Sequence, residues 1–176
     1  MASLKTTLEE LLSGPAYLWV ALEEKCSMAL WVGLAVSTWY KATTLTYERA
    51  ALAQECLLLP ALLLTQLCRF QLAYWGHTTR TAVLLAVHVF LGSAVATIWG
   101  YFMTLQIYVL RFDVVMCGIS FGFLVLGSFI ATLIGVLMAE SKVGIVLLAF
   151  GTFAVCTAVG GFAGFYSSLP RSSILV

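Results

Sequence analysis

From Leu52 to Tyr166 the chain is a succession of apolar runs, interrupted only by short clusters of one to three charges. A bilayer core needs about 20 apolar residues per helical span, and several of these runs reach that length. Composition agrees: 62% of the residues are hydrophobic and 10% are charged, where soluble domains average roughly 45–50% and 25%. Mean hydropathy is +1.03. The expected fold is an all-α membrane protein, a polytopic bundle of four to five transmembrane helices with a short N-terminal amphipathic helix.

A chain of 176 residues folded this way has little mass outside the membrane. Its longest polar stretches are the N-terminal segment and the links 41–49 and 76–80. None could house a soluble catalytic domain, which usually needs upwards of about 50 residues. The net charge of +1 and the lack of a basic cluster leave no electrostatic handle on nucleic acid or on anionic headgroups. Cys26, Cys56, Cys68, Cys117 and Cys156 form no CxxC. A disulfide framework or zinc site needs clustered thiols, so inert buried packing is expected of them. The N-terminus has neither the basic start and apolar core of a secretory signal nor the arginines of a mitochondrial presequence.

Residues 1–24 read as an amphipathic leader. Leu4, Leu8, Leu11 and Leu12 make one apolar stripe, and both Thr7 with Glu10 and Thr6 with Glu9 have capping-box spacing. Gly14-Pro15 is expected to break this helix. Glu23-Glu24-Lys25 would be costly at mid-bilayer, which places them at the interface and starts helix 1 near Lys25. A single transmembrane domain, 25–176, then carries helices at about 25–41, 50–75, 81–110, 114–139 and 143–167. Trp39 and Tyr40 form an aromatic belt at the far end of helix 1, and Tyr74-Trp75-Gly76 supplies belt aromatics and a stop for helix 2. Arg111-Phe112-Asp113 reads as a tight reversal with Asp113 capping helix 4, and Glu140-Ser141-Lys142 as another link. Alternating sides put five basic residues on one face and four on the other, which gives no positive-inside bias.

Small residues recur at four-residue spacing: Gly92, Ala96 and Gly100 in helix 3, Gly118 with Gly122 and Gly127/Ala131/Gly135 in helix 4, and Gly160 with Gly164 in helix 5. Such spacing lets membrane helices approach closely, within the chain or with a partner helix. Glu55 and Arg69 share one face of helix 2 but sit about 21 Å apart along its axis. They cannot pair with each other, so each must find another helix, a water cavity or a headgroup. His88 has Leu91 and Gly92 where a second metal ligand would stand, so it reads as a packing residue. Arg111 and Asp113 suit either a solvated turn or a fixed feature that meets a partner. No Ser/His/Asp set, HExxH, phosphate-cradling glycine loop or carboxylate pair at helix-face spacing occurs. No catalytic residue, metal site or cofactor is therefore expected, and the protein is read as not an enzyme.

Leu105, Gln106, Tyr108, Val109, Leu110, Arg111, Asp113, Val115, Met116, Gly118 and Ile119 together resemble the helix 3–4 hairpin of a family of small four-helix proteins of the ciliary transition zone, the membrane arm of the Meckel–Joubert module. Tyr40-Lys41, Tyr47, Glu55, Arg69 and Gly76 recur in similar order, so the resemblance covers about residues 25–137. It implies a scaffold at the ciliary base with tectonic-type and coiled-coil partners, contributing to the barrier that controls ciliary membrane composition. It also implies that Arg111, Asp113 and Gly118 define the hairpin, with Gln106 and Tyr108 beside them, and that Glu55 and Arg69 contact other helices or partners. The apolar run at 143–167 departs from the family's four spans: a genuine fifth span puts the termini on opposite sides, and otherwise helix 1 or helix 5 is re-entrant or buried against a partner.

Three functions fit these features. A transition-zone scaffold would take other membrane and coiled-coil proteins and lipids as partners, with no nucleic acid and no small-molecule substrate. An accessory membrane subunit of a large organellar complex, for example a respiratory assembly of an inner membrane, fits the same physics without the hairpin resemblance. A small transporter would need a polar pathway, for which Glu55, His88 and Gln106 offer only scattered pieces.

Overall fold

The computed structural model describes residues 2–46, 49–106, 109–138 and 142–168, with side chains for 14–46, 49–106, 109–138 and 144–164. It is all-helical: α1 (Ala2–Thr44), α2 (Arg49–Thr79), α3 (Ala82–Thr104), α4 (Arg111–Met138) and α5 (Lys142–Ser168). In α2, α3, α4 and the Gly144–Gly164 part of α5, four helices are long and apolar enough to cross a membrane. Neighbouring pairs α1–α2, α2–α3, α3–α4 and α4–α1 close a ring of four helices. Outside this ring α5 lies against α3 and α4, where Gly151 abuts Val89 and Gly135 abuts Leu148.

The helices share one packing rule. Residues buried in α4 include Asp113, Cys117, Ser120, Leu124, Gly127, Ala131 and Ile134, alternately four and three apart. In α3 the same alternation runs through Leu85, Val89, Gly92, Ala96, Trp99 and Met103. In α1 it runs through Ala16, Val20, Glu23, Ser27, Leu30, Leu34, Ser37 and Lys41. This is the knobs-into-holes spacing of antiparallel bundles. What differs is the chemistry of the seam, because half of α1's inward positions are polar.

Several boundaries differ from the sequence expectation. Gly14-Pro15 does not end a leader, and α1 is one helix from Ala2 to Thr44. Proline removes a single backbone donor, while Ala16 and Val20 beyond it are buried and hold the chain on its helical course. Gly76 does not stop α2, which continues through His77 to Thr79. The stop is Arg80, whose φ of 52° is left-handed, with Thr81 N–H donating to the Gly76 carbonyl at 3.0 Å. That is a Schellman closure built without glycine. Gly76 instead lies against Leu85 of α3. Finally, α3 ends at Thr104, and α4 starts at Arg111. Arg111-Phe112-Asp113 therefore forms the first turn of α4 rather than the reversal itself.

The glycines divide into two groups. A Cβ on Gly92 would meet Val155, and one on Gly100 would fall on the Phe162 ring, so these positions, with fully buried Ala96, let α5 approach α3. A Cβ on Gly118, Gly122, Gly160 or Gly164 meets nothing within 4 Å among the described residues. This corrects the spacing argument for an intramolecular role at those four. On α4 the reason is plain: Gly118 and Gly122 share the outward face with Val115, Ile119, Leu126 and Phe129, all exposed. Thermal unfolding in detergent should accordingly shift little for Gly118→Leu with Gly122→Leu, by under about 0.5 kcal/mol. Gly100→Leu should cost about 1–3 kcal/mol by overpacking. The reverse order would show that α5 is not seated on α3 as described.

Two of the cysteines differ from expectation as well. Cys117 is buried, Cys26 and Cys156 are half-buried, and Cys56 and Cys68 are exposed on the outside of α2. A small weakly polar side chain is tolerated against lipid as readily as in the core.

Candidate functional site

Polar residues inside the bundle gather in two tiers, each tied to α1. At one end, Lys41 in the last turn of α1 is fully buried. Its Nζ donates to Asp113 Oδ2 at 2.9 Å and to Gln106 Oε1 at 2.7 Å. Both members of the Lys41–Asp113 ion pair are 0% exposed. Asp113 Oδ1 accepts from the Ser37 hydroxyl one turn back in α1. Asp113 Oδ2 also accepts from the Leu110 backbone N–H at 3.2 Å, and Val114 N–H closes the first helical bond to the Leu110 carbonyl. Asp113 thus caps α4, but from the third helical position reaching back, which is the reciprocal half of a capping box. A carboxylate there also meets the positive end of the helix dipole.

At the second tier Glu23 of α1 pairs with Arg69 of α2, and both side chains are buried. The Arg69 guanidinium lies 4.9 Å from the centre of the Phe70 ring, an arrangement that favours a cation. Two glycines make the room. A Cβ on Gly127 of α4 would collide with the Glu23 carboxylate, and one on Gly92 of α3 would sit 3.8 Å from an Arg69 terminal nitrogen. His88 of α3 reaches the Arg69 carbonyl at 2.8 Å through Nδ1. Because a carbonyl only accepts, Nδ1 carries the proton and the imidazole joins α3 to the α2 backbone. Next to this tier, Tyr74 donates to Glu24 at 2.7 Å and stacks near Tyr17 with ring centres 5.2 Å apart.

Exposed aromatics frame both tiers. Tyr17 and Trp75 mark one end and Trp39 and Tyr40 the other. By helical rise Tyr17 and Tyr40 are about 35 Å apart, a hydrocarbon core plus its interfaces. Arg69 lies six residues inside Trp75, about 9 Å below the belt, while Lys41 lies at the level of the opposite belt. Between the tiers Leu30, Leu34, Leu62, Ala96, Trp99 and Leu124 are buried, with Ser27, Glu55, Gln66 and Ser120 the buried polar side chains among them. Trp31 adds a further α1–α2 tie, its indole N–H donating to the Leu59 carbonyl at 2.9 Å.

The residues singled out in the sequence fall as follows. Gln106 and Asp113 come together on Lys41, whereas Arg111 and Phe112 are exposed. Tyr108 lies outside the described residues. Arg69 and His88 meet at the inner tier, and Glu55 is buried at 0% exposure on the inward face of α2. Three residues were missed. Glu23 was placed at the interface, Lys41 was noted only as the end of helix 1 and the edge of a polar link, and Ser37 was passed over. The available signal was the four-three spacing from Ala16 to Lys41, which a search for apolar periodicity does not detect. Among the described residues, no group of three or more His, Cys, Asp or Glu could hold a metal ion.

Chemically, each ionic partner is consumed by another helix. A buried ion pair contributes little net stability, yet breaking one partner out is severe. Such pairs best serve to fix register and orientation, and these two fix α1 against α2 and α4. No curated protein and no solved structure matches the chain. The profile of the Transmemb_17 family, described as predicted membrane proteins, matches residues 22–124. That segment is more than half of the chain and holds both ion pairs, Glu23 with Arg69 and Lys41 with Asp113. The chain belongs to this family of predicted membrane proteins.

Proposed function

We propose that this protein is a non-enzymatic membrane scaffold of the ciliary transition zone, contributing to the barrier that controls ciliary membrane composition. The supporting observation is that the run 105–119, which carries the resemblance to the transition-zone family, holds Gln106 and Asp113, the two side chains that secure Lys41. In this reading the hairpin residues are architectural: Asp113 and Gln106 hold α1, while exposed Arg111 and Phe112 remain available to tectonic-type or coiled-coil partners. The large apolar side chains buried between the tiers, Leu34, Leu62, Trp99 and Leu124 among them, suit a packed scaffold better than a transporter.

The test is to tag the full chain and image it beside markers for the ciliary base and for mitochondria. A ring or spot at the ciliary base is expected, with tectonic-type proteins co-purifying. A mitochondrial or other organellar signal would sink the ciliary reading and favour an accessory subunit of an organellar complex. Solute flux through reconstituted protein would argue for transport instead.

A further inference from the structure

The outward face of α1 is apolar and its inward face carries charge. Leu18, Leu22, Val32, Val36 and Trp39 are exposed on it, while Glu23 and Lys41 point into the bundle. Four other helices qualify as spans by length and hydropathy, and α1 is not among them. Even so, α1 lies level with α2 along its length, from the Tyr17–Tyr74 contact through Glu23 and Arg69 to Trp31 and Leu59. Each unpaired charge in a helix disfavours insertion by more than about tenfold. The chemistry that removes this penalty is supplied from later in the chain: Arg69 for Glu23, and Asp113 with Gln106 for Lys41.

We propose that α1 does not enter the membrane as an autonomous span, and that it is drawn in by Arg69 of α2 and Asp113 of α4 once those helices are in place. Until then α1 lies at the membrane surface with its N-terminus on the same side as the α1–α2 link. Docking of α1 is therefore a built-in check that the hairpin ending in Asp113 has formed. This inference is independent of the ciliary reading, because it concerns only how the bundle assembles.

Side-specific cysteine labelling tests it on the full chain, with the five native cysteines replaced by alanine. Ala2→Cys or Thr46→Cys is introduced singly, and Thr79→Cys reports the sidedness of the α2–α3 turn. An impermeant maleimide is applied to sealed membranes before and after permeabilisation. In the otherwise unchanged chain, positions 2 and 46 should label from opposite sides. With Arg69→Leu and Asp113→Leu together, position 2 should move to the side of position 46, while position 79 keeps its side. Adding Glu23→Leu and Lys41→Leu removes the two buried charges of α1 and should return position 2 to its original side, as should the charge exchange Glu23→Arg with Arg69→Glu and Asp113 intact.

Opposite labelling that persists in the Arg69→Leu/Asp113→Leu chain would overturn the proposal, since α1 would then insert unaided. Labelling of positions 2 and 46 from one side in the unchanged chain would also overturn it. So would degradation of the Arg69→Leu/Asp113→Leu chain that Glu23→Leu with Lys41→Leu fails to cure, because α1 then holds neither of the charges that those partners satisfy.

Discussion

Asp113→Leu should destabilise the bundle by about 3–5 kcal/mol, the range for removing one partner of a buried ion pair. The reason is what is lost. Lys41 is 0% exposed, and removing Asp113 takes away a carboxylate that its ammonium holds at 2.9 Å, while the Gln106 amide oxygen at 2.7 Å stays in place. The Ser37 hydroxyl and the Leu110 N–H each lose an acceptor at the same time. Lys41→Met combined with Asp113→Leu should recover most of the loss, because an apolar pair of similar volume replaces a buried ion pair at little net cost. Unfolding followed by intrinsic tryptophan fluorescence in mixed micelles checks both arms. A single-mutant effect below about 1 kcal/mol, the size of an exposed pair, would falsify the claim that this end of α1 is sealed from water.

How much of this was legible in the sequence depends on which helix is considered. Apolar runs define α2 to α5 directly, since a bilayer imposes a length that composition reveals. In α1 the periodicity is inverted. A reading that seeks an apolar stripe finds Leu18, Leu22, Val32 and Val36, which the fold leaves exposed, and misses the seam of Glu23, Ser27, Ser37 and Lys41. In water an exposed apolar stripe would be penalised. Against lipid it is not, so hydropathy alone does not tell the inside of a membrane bundle from its outside. The same physics explains the glycines. Gly92 and Gly127 are required by side chains that come from other helices, while Gly118 and Gly122 repeat the spacing with no neighbour to receive among the described residues.

Turn chemistry was partly readable. Asp113 was recognisable as a capping residue, but its place inside the first turn rests on the 3.2 Å bond back to Leu110, which spacing does not specify. The end of α2 was hidden because Arg80 takes the left-handed conformation usually given to glycine or asparagine. Glycine was present four residues earlier, where Leu85 of α3 needs the space. Ion pairs between helices far apart in sequence were beyond reach: Glu23 and Arg69 are 46 residues apart and Lys41 and Asp113 are 72 apart. Only the ring of neighbours α1–α2–α3–α4 brings them together.

At the inner tier, Arg69→Leu should cost about 3–5 kcal/mol by leaving the Glu23 carboxylate buried without its counter-charge, and Glu23→Leu with Arg69→Leu should restore most of it. This tier carries a second handle that the other lacks. Gly127 borders the Glu23 carboxylate so closely that a methyl group there displaces it. Gly127→Ala should therefore cost about 1–3 kcal/mol in the wild-type chain, the range for overpacking a filled core. In a Glu23→Ala background the added methyl enters vacated space, and its further cost should fall below about 0.5 kcal/mol. The coupling between positions 23 and 127 would then be about 0.5–3 kcal/mol, as found for residues in contact. Additive effects of Gly127→Ala and Glu23→Ala would mean that the carboxylate does not rest on α4, and that the pair joins α1 to α2 alone rather than locking three helices.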